Sequence, residues 1–134
     1  MIVVDVNVIA YLLIHGTKSQ QAAAVFSKDS QWRVPTLWQD EFLNVLVMQV
    51  RQRGITHALA SQTLGHALQF LSRSEQPVNK FDALRVATQH QITGYDAQYV
   101  ALAESLGATM VSEDSELLRK FPHRVSSMKS FCAI

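Results

Sequence analysis

Four acidic residues stand where acids are costly. Asp5 ends the run Ile2-Val3-Val4, a β-branched stretch typical of a buried strand. Asp114, with Glu113 before it, follows Thr109-Met110-Val111-Ser112, a second stretch of the same kind. Glu41 and Asp96 fall within helical patterns, where each residue advances the angle by about 100°. Leu37, Trp38, Val45 and Met48 all lie within about 60° of Glu41, which centres the glutamate in an apolar stripe. Tyr99, Val100 and Ala103 lie within about 60° of Asp96, so this acid begins an inward-facing stripe too. Asp40 and Glu104, turned away from those stripes, read as ordinary surface acids.

A charge on an inward face must be solvated, paired or bound to a metal. Taken singly, each acid has an ordinary structural use. Asp96 and Asp114 suit helix caps, Glu41 can pair with a cation or reach past the edge to water, and Asp5 can shape a turn. Taken together they converge, with no basic residue at an equivalent inward position. Like charges gathered without a counter-ion raise one another's pKa. A divalent cation removes that penalty, and an oxygen-only ligand set suits Mg²⁺, with Mn²⁺ as a substitute. The histidines at 15, 57, 66, 90 and 123 never stand at i, i+4 spacing, which argues against zinc.

The elements needed to hold these acids can be read along the chain. Residues 2–5 read as strand and 7–14 as a short helix with Asn7 as its cap; His15-Gly16 breaks it. An Ala- and Gln-rich helix follows over 18–28. Residues 32–34 form a strand stopped by Pro35, after which Thr36 caps a helix to about 53, closed by Gly54. Thr56 opens a helix over 57–72, and Asn79 with Asp82 starts another that runs to about 91. Gly94 precedes a helix over 96–106 that ends at Gly107. A strand over 109–112, a short helix over 115–120 and a last strand over 123–126 complete the pattern. Short strands separated by helices predict α/β architecture with a parallel sheet, whose ligands sit at the carboxyl ends of the strands.

The bulk properties bound the rest. The chain has 134 residues, enough for one domain over 1–134 with a proper core, and no linker or repeat divides it. Charged residues make up only 17% against 48% apolar, so an apolar patch for a partner is expected on the surface. Twelve basic and eleven acidic residues give net +1, so a polyanion must be recognised locally or through cations. The single Cys132 excludes an internal disulfide and fits a reducing compartment. No signal-peptide pattern or membrane-length apolar run appears, and a cytoplasmic location without membrane contact is expected.

The segments VVDVNVIAYLL, PTLWQDEFLNVL and YDAQYVALAESLGATMVSEDSELL resemble the PIN-domain family, most closely its VapC-type toxin ribonucleases of toxin–antitoxin systems. The third segment is the most specific, joining an Asp-led helix, a glycine, a strand and an SxD-like end. Carried over by position, Asp5, Glu41, Asp96 and Asp114 match the family's four acids, and these are the four that strand ends and helical angles single out. Asn7 takes the small polar position two after the first acid, and Ser112 stands where the family often has Thr.

The resemblance implies a compact three-layer fold with a central parallel sheet of about five short strands flanked by helices. It implies a metal-dependent endoribonuclease, the toxin of a toxin–antitoxin pair, with an antitoxin partner and a homodimer. Asp5, Asp96 and Asp114 would hold the metal, Glu41 would join them in catalysis, and Asn7 and Ser112 would orient ligands or water. A basic rim including Lys18, Arg51, Arg53, Lys80 and Arg85 would meet the RNA, and the apolar faces of 36–53 and 57–72 suit a dimer. Three alternatives stay open: a DNA nuclease, a non-catalytic nucleic-acid-binding module, and a haloacid-dehalogenase-like phosphotransferase with Asp5 as nucleophile. The last of these wants an acid two residues after Asp5, where this chain has Asn7.

Overall fold

A computed structural model describes residues 1–133. It opens with β1 (Ile2–Val4) and α1 (Val6–Leu13), followed by α2 (Ser19–Lys28), β2 (Trp32–Pro35), α3 (Trp38–Arg53) and α4 (His57–Phe70). The second half contains β3 (Glu75–Gln76), α5 (Lys80–His90), α6 (Gly94–Leu106), β4 (Met110–Val111), α7 (Ser115–Lys120), β5 (Val125–Ser126) and α8 (Met128–Ala133). The strands form one five-stranded sheet in the order β3-β2-β1-β4-β5, every pairing parallel.

Period-two alternation explains why β1 is apolar throughout: its side chains serve both faces. Ile2 and Val4 join Trp32, Val34 and Val111 in a core against α1, α2, α3, α4 and α8. Val3 and Met110 point the other way, into a second core with α5, α6, α7 and Val125. The result is three layers, helices–sheet–helices, as expected for this class. From β1 the chain moves outward through β2 to β3, then returns to place β4 and β5 on the far side of β1. That reversal puts the topological switch between β1 and β4, where ligands of such sheets bind.

Several expected boundaries move, each for a local reason. Asp5, not Asn7, occupies the N-cap position of α1, and Asn7 lies inside the first turn. Leu37 takes the N-cap position of α3, while Thr36 offers only its carbonyl, to the Gln39 N–H at 3.2 Å. The helix carrying Asp96 begins at Gly94, because the Thr93 side chain accepts the Asp96 N–H at 3.0 Å and caps it. Pro35 remains in β2 and pairs with Gln76, so the strand runs one residue beyond its expected stop. The expected caps Thr56 and Asn79 hold, and Gly54 and Gly107 close α3 and α6 in the left-handed conformation. β3 and α8 depart from the sequence expectation: β3 is two polar residues at the sheet edge, and α8 is a six-residue helix capped by Ser127, whose Oγ accepts the Ser130 N–H at 3.0 Å.

The apolar faces of 36–53 and 57–72 divide between core and surface. Phe42, Leu46 and Leu71 are buried, whereas Val50, Leu59 and Leu68 are exposed, as is neighbouring Leu43. Leu43, Val47, Val50, Ala60 and Leu64 line an apolar groove of ≈ 210 Å³ between α3 and α4. Among the described residues, no helix is long and apolar enough to cross a membrane.

Candidate active site

Asp5 enters the site because β1 ends there and α1 begins. It is only 5% exposed, and its N–H continues the sheet by donating to the Val111 carbonyl at 3.0 Å. Its Oδ2 accepts a 2.7 Å hydrogen bond from Ser112 Oγ across the β1–β4 switch. The same Ser112 oxygen, fully buried, accepts the Asp114 N–H at 3.0 Å. One hydroxyl thereby ties the first acid to the backbone of the last. Asp114 itself caps α7, its Oδ1 accepting the Leu117 N–H at 3.0 Å. The structural use and the site position coincide in this residue.

Glu41 and Asp96 arrive from the two faces of the sheet, on α3 and α6. Glu41 is half-buried, and its Oε1 accepts a 2.7 Å hydrogen bond from the hydroxyl of fully buried Tyr99. Burial pushes its carboxyl up to about 6; the charges of Asp5 and Asp96 add to this and the Tyr99 bond opposes it. Asp96 is also pushed up to about 6, first by burial, then by the charges of Asp5 and Asp114. For Asp5, burial again raises the pKa and the Asp114 charge adds to it, while the Ser112 hydroxyl and the first N–H groups of α1 pull downward. Tyr99 is driven well above the usual phenol range by burial and by the adjoining Glu41.

The four acids therefore share one electrostatic field at the carboxyl ends of β1 and β4. Among the described residues none of them forms an ion pair. Nor are three or more acids, histidines or cysteines drawn tightly enough together to close a metal shell by themselves. The donor set is all oxygen and the charge is uncompensated. Those two properties fit Mg²⁺, which keeps several waters and needs only one or two carboxylates. Glu113 and Glu116 turn to other partners: Glu113 accepts the Met128 N–H at 3.0 Å, and Glu116 pairs with Lys120 at 2.6 Å.

Asn7 is exposed and lines a cleft of ≈ 300 Å³ with Tyr11, Lys18, Gln49 and Arg53. Of the basic rim, Lys18 and Arg53 face this cleft, Lys80 lines a second one near Tyr95, and Arg85 pairs with Glu104 at 3.3 Å.

Residues 2–122 match the PIN domain family. The chain belongs to the PIN-domain family. Within it the sequence is 33% identical to Ribonuclease VapC3 of Pyrobaculum aerophilum, over 93% of this chain and 98% of that protein. Exonuclease VapC9 of the same organism is 38% identical over 58% of this chain and 57% of its own. The crystal structure of PAE2754 from Pyrobaculum aerophilum superposes with a TM-score of 0.72 at 26% identity, covering 98% of this chain and 92% of that one. FitAcB from Neisseria gonorrhoeae shares the fold at a TM-score of 0.63 and 16% identity, over 96% of this chain and 99% of that one. The PIN-domain fold expected from the three sequence segments is thus present, and the likeness to VapC-type proteins extends over nearly the whole chain.

Sequence reasoning did not find two contributors to this PIN-domain site. Tyr99 was visible only as an apolar neighbour of Asp96, although a buried phenol one turn from an inward acid needs an acceptor. Thr93 was hidden by the assumption that Gly94 breaks the chain, whereas Thr-x-x-Asp before an apolar run is a helix-start signal.

Proposed function

We propose that this PIN-domain protein is a divalent-metal-dependent endoribonuclease and the toxin of a toxin–antitoxin pair. The observation that carries the reading is the gathering of Asp5, Glu41, Asp96 and Asp114 at the β1–β4 switch with no counter-ion among the described residues. The ribonuclease name of the VapC3 relative, matched over nearly its full length, supports RNA as substrate.

Asp5 and Asp96 are the first choices to hold the cation, with Asp114 next to them. When bound, Mg²⁺ or Mn²⁺ lowers the pKa of water and offsets negative charge on phosphoryl oxygens. The protein's own groups do the rest. Ser112 fixes the Asp5 carboxylate by its 2.7 Å bond to Oδ2, which holds the group's orientation toward the site. Glu41, its carboxyl pushed up to about 6 by burial, can ligate, hold a water or take its proton as general base. Tyr99 sets the orientation of Glu41 and keeps its own proton. Asn7, exposed in the first turn of α1 two residues past Asp5, would orient ligands or water.

The exposed apolar groove between α3 and α4 supports a homodimer through Leu43 and Val50. A cognate antitoxin would then act on the dimer. Sedimentation velocity should give a dimer for the wild-type chain and a monomer for Leu43→Asp. A wild-type monomer at micromolar concentration contradicts the dimer.

Hydrolysis of labelled RNA and DNA, with internal and terminal labels and with Mg²⁺, Mn²⁺ or EDTA, tests the activity. Endonucleolytic RNA cleavage is expected, abolished by EDTA. Asp5→Asn and Asp96→Asn should lower the rate by more than about 100-fold, and Ser112→Ala by about 10- to 100-fold, the range for residues that orient ligands. Cleavage that survives EDTA defeats the mechanism. A covalent aspartyl-phosphate trapped on Asp5 would favour the phosphotransferase.

A further inference from the structure

Apart from Asn7, the cleft between α1, the start of α2 and the C-terminal half of α3 has no part in the chemistry above. Its ≈ 300 Å³ is at the small end of ligand pockets, room for one base and its sugar and not for a duplex. Asn7 lines it two residues past Asp5, only about 3 Å further along the helix axis. Val45, also in its lining, stands one turn after Glu41 on the same face of α3, so the inner end of the cleft lies one turn from that acid.

Its lining has a definite charge sign. Lys18 and Arg53 both face it, and no carboxylate does. Arg53 forms no ion pair among the described residues. Lys18 is held loosely over the mouth: its Nζ lies 5.1 Å from the Tyr11 ring centroid and 3.9 Å from Glu113, which follows Ser112 directly. The Tyr11 ring places that ammonium by a cation–π contact. Asn7 and Gln49 each offer a donor and an acceptor, the pairing a base edge requires. With a net charge of only +1, such a local patch is where attraction for a polyanion must come from.

We infer that this cleft is a subsite for one unpaired nucleotide of the RNA, next to the scissile phosphodiester. Arg53 and Lys18 neutralise the flanking phosphates, and Asn7 and Gln49 face the base. An acidic protein segment would meet the same cations, but the amide pair and the single-residue volume fit a nucleotide better. The inference rests on RNA being the substrate, as proposed above. It also says that the substrate must be unpaired at the cleavage site, in keeping with base reading in RNA generally.

The test uses the full chain and a short labelled single-stranded RNA of mixed sequence. Binding is followed by fluorescence anisotropy in Ca²⁺, and cleavage in Mg²⁺, for wild type, Arg53→Gln, Arg53→Lys and Lys18→Gln. Arg53→Gln and Lys18→Gln should weaken binding and raise KM by about 5- to 10-fold while kcat stays within about twofold. Each should also reduce the slope of log affinity against log salt by about 0.7, the value for one lost single-strand phosphate contact. Arg53→Lys should restore the salt slope, which a loss of packing would not allow. Wild-type affinity and salt slope in both glutamine variants would overturn the subsite and leave the cleft to a protein segment. A wild-type chain that binds no single-stranded RNA at all would instead remove the substrate reading, and this subsite with it.

Discussion

Ser112 has one hydroxyl and two tasks: it donates to Asp5 at 2.7 Å and accepts from the Asp114 N–H at 3.0 Å. Its position shows why these acids stay together despite their repulsion. A hydrogen bond to a charged group contributes roughly 1.5–3 kcal/mol, and here it acts at the one point where β1 and β4 separate. Burial of these acids, and after it their mutual repulsion, is measurable through pH. Asp5, Glu41 and Asp96 all have pKa values raised above those of the unfolded chain, the last two to about 6. Across the window from about pH 4 to about pH 6 the folded state therefore binds more protons than the unfolded state. This stabilising contribution is complete below the unfolded values and is lost as pH rises through the folded ones. Melting temperature in EDTA should accordingly fall as pH rises through that window, and Asp96→Asn should flatten the fall. A melting temperature that climbs over the same range in wild type, unaltered by the substitution, would contradict the crowding. The four acids themselves could be found from helical angles and strand ends, because burial of an acid leaves a trace in its neighbours' hydropathy. The Ser112 and Tyr99 hydrogen bonds could not be read that way, since they join residues 107 and 58 positions apart.

Helix ends decide where each acid points. Thr93 and Asp114 cap α6 and α7 with side-chain oxygens, and a cap of this kind is worth about 1 kcal/mol. The closing end of α5 is less well served. Gln91 takes φ 56°, the left-handed conformation, without glycine's freedom. Lys120 compensates by donating to the His90 carbonyl at 2.8 Å and the Gln91 carbonyl at 3.1 Å. Gln91→Gly keeps both carbonyls and relieves the backbone, so it should stabilise the chain by about 0.5–1 kcal/mol, read as a higher urea midpoint with unchanged slope. A lower midpoint would mean that the Gln91 side chain matters more than its backbone. Most elements were legible because they carry period, cap and glycine signals together, as where Gly54 closes α3 and Thr56 caps α4. β3 was not, because Glu75 and Gln76 are polar and extend only by pairing with Val34 and Pro35. That pairing is tertiary information, absent from any local window.

At the scale of the molecule, the strand order β3-β2-β1-β4-β5 brings acids from four separate elements to the carboxyl ends of β1 and β4. Asp5 follows β1, Asp114 follows β4 through Ser112, and α3 and α6 supply Glu41 and Asp96 from opposite layers. The three-layer class was readable from alternating strands and helices, but the order of strands was not, since parallel crossovers leave no local mark. Beside the acids lies a cleft with cations, so the same end of the sheet holds both a cation-hungry pocket and a polyanion-friendly one. The most direct measurement is anomalous diffraction from crystals soaked in Mn²⁺. Wild type should show a peak within reach of the Asp5 and Asp96 carboxylates, and Asp5→Asn should lose it. A wild-type map without density there, at a concentration that saturates cleavage, would contradict the shared acid pocket.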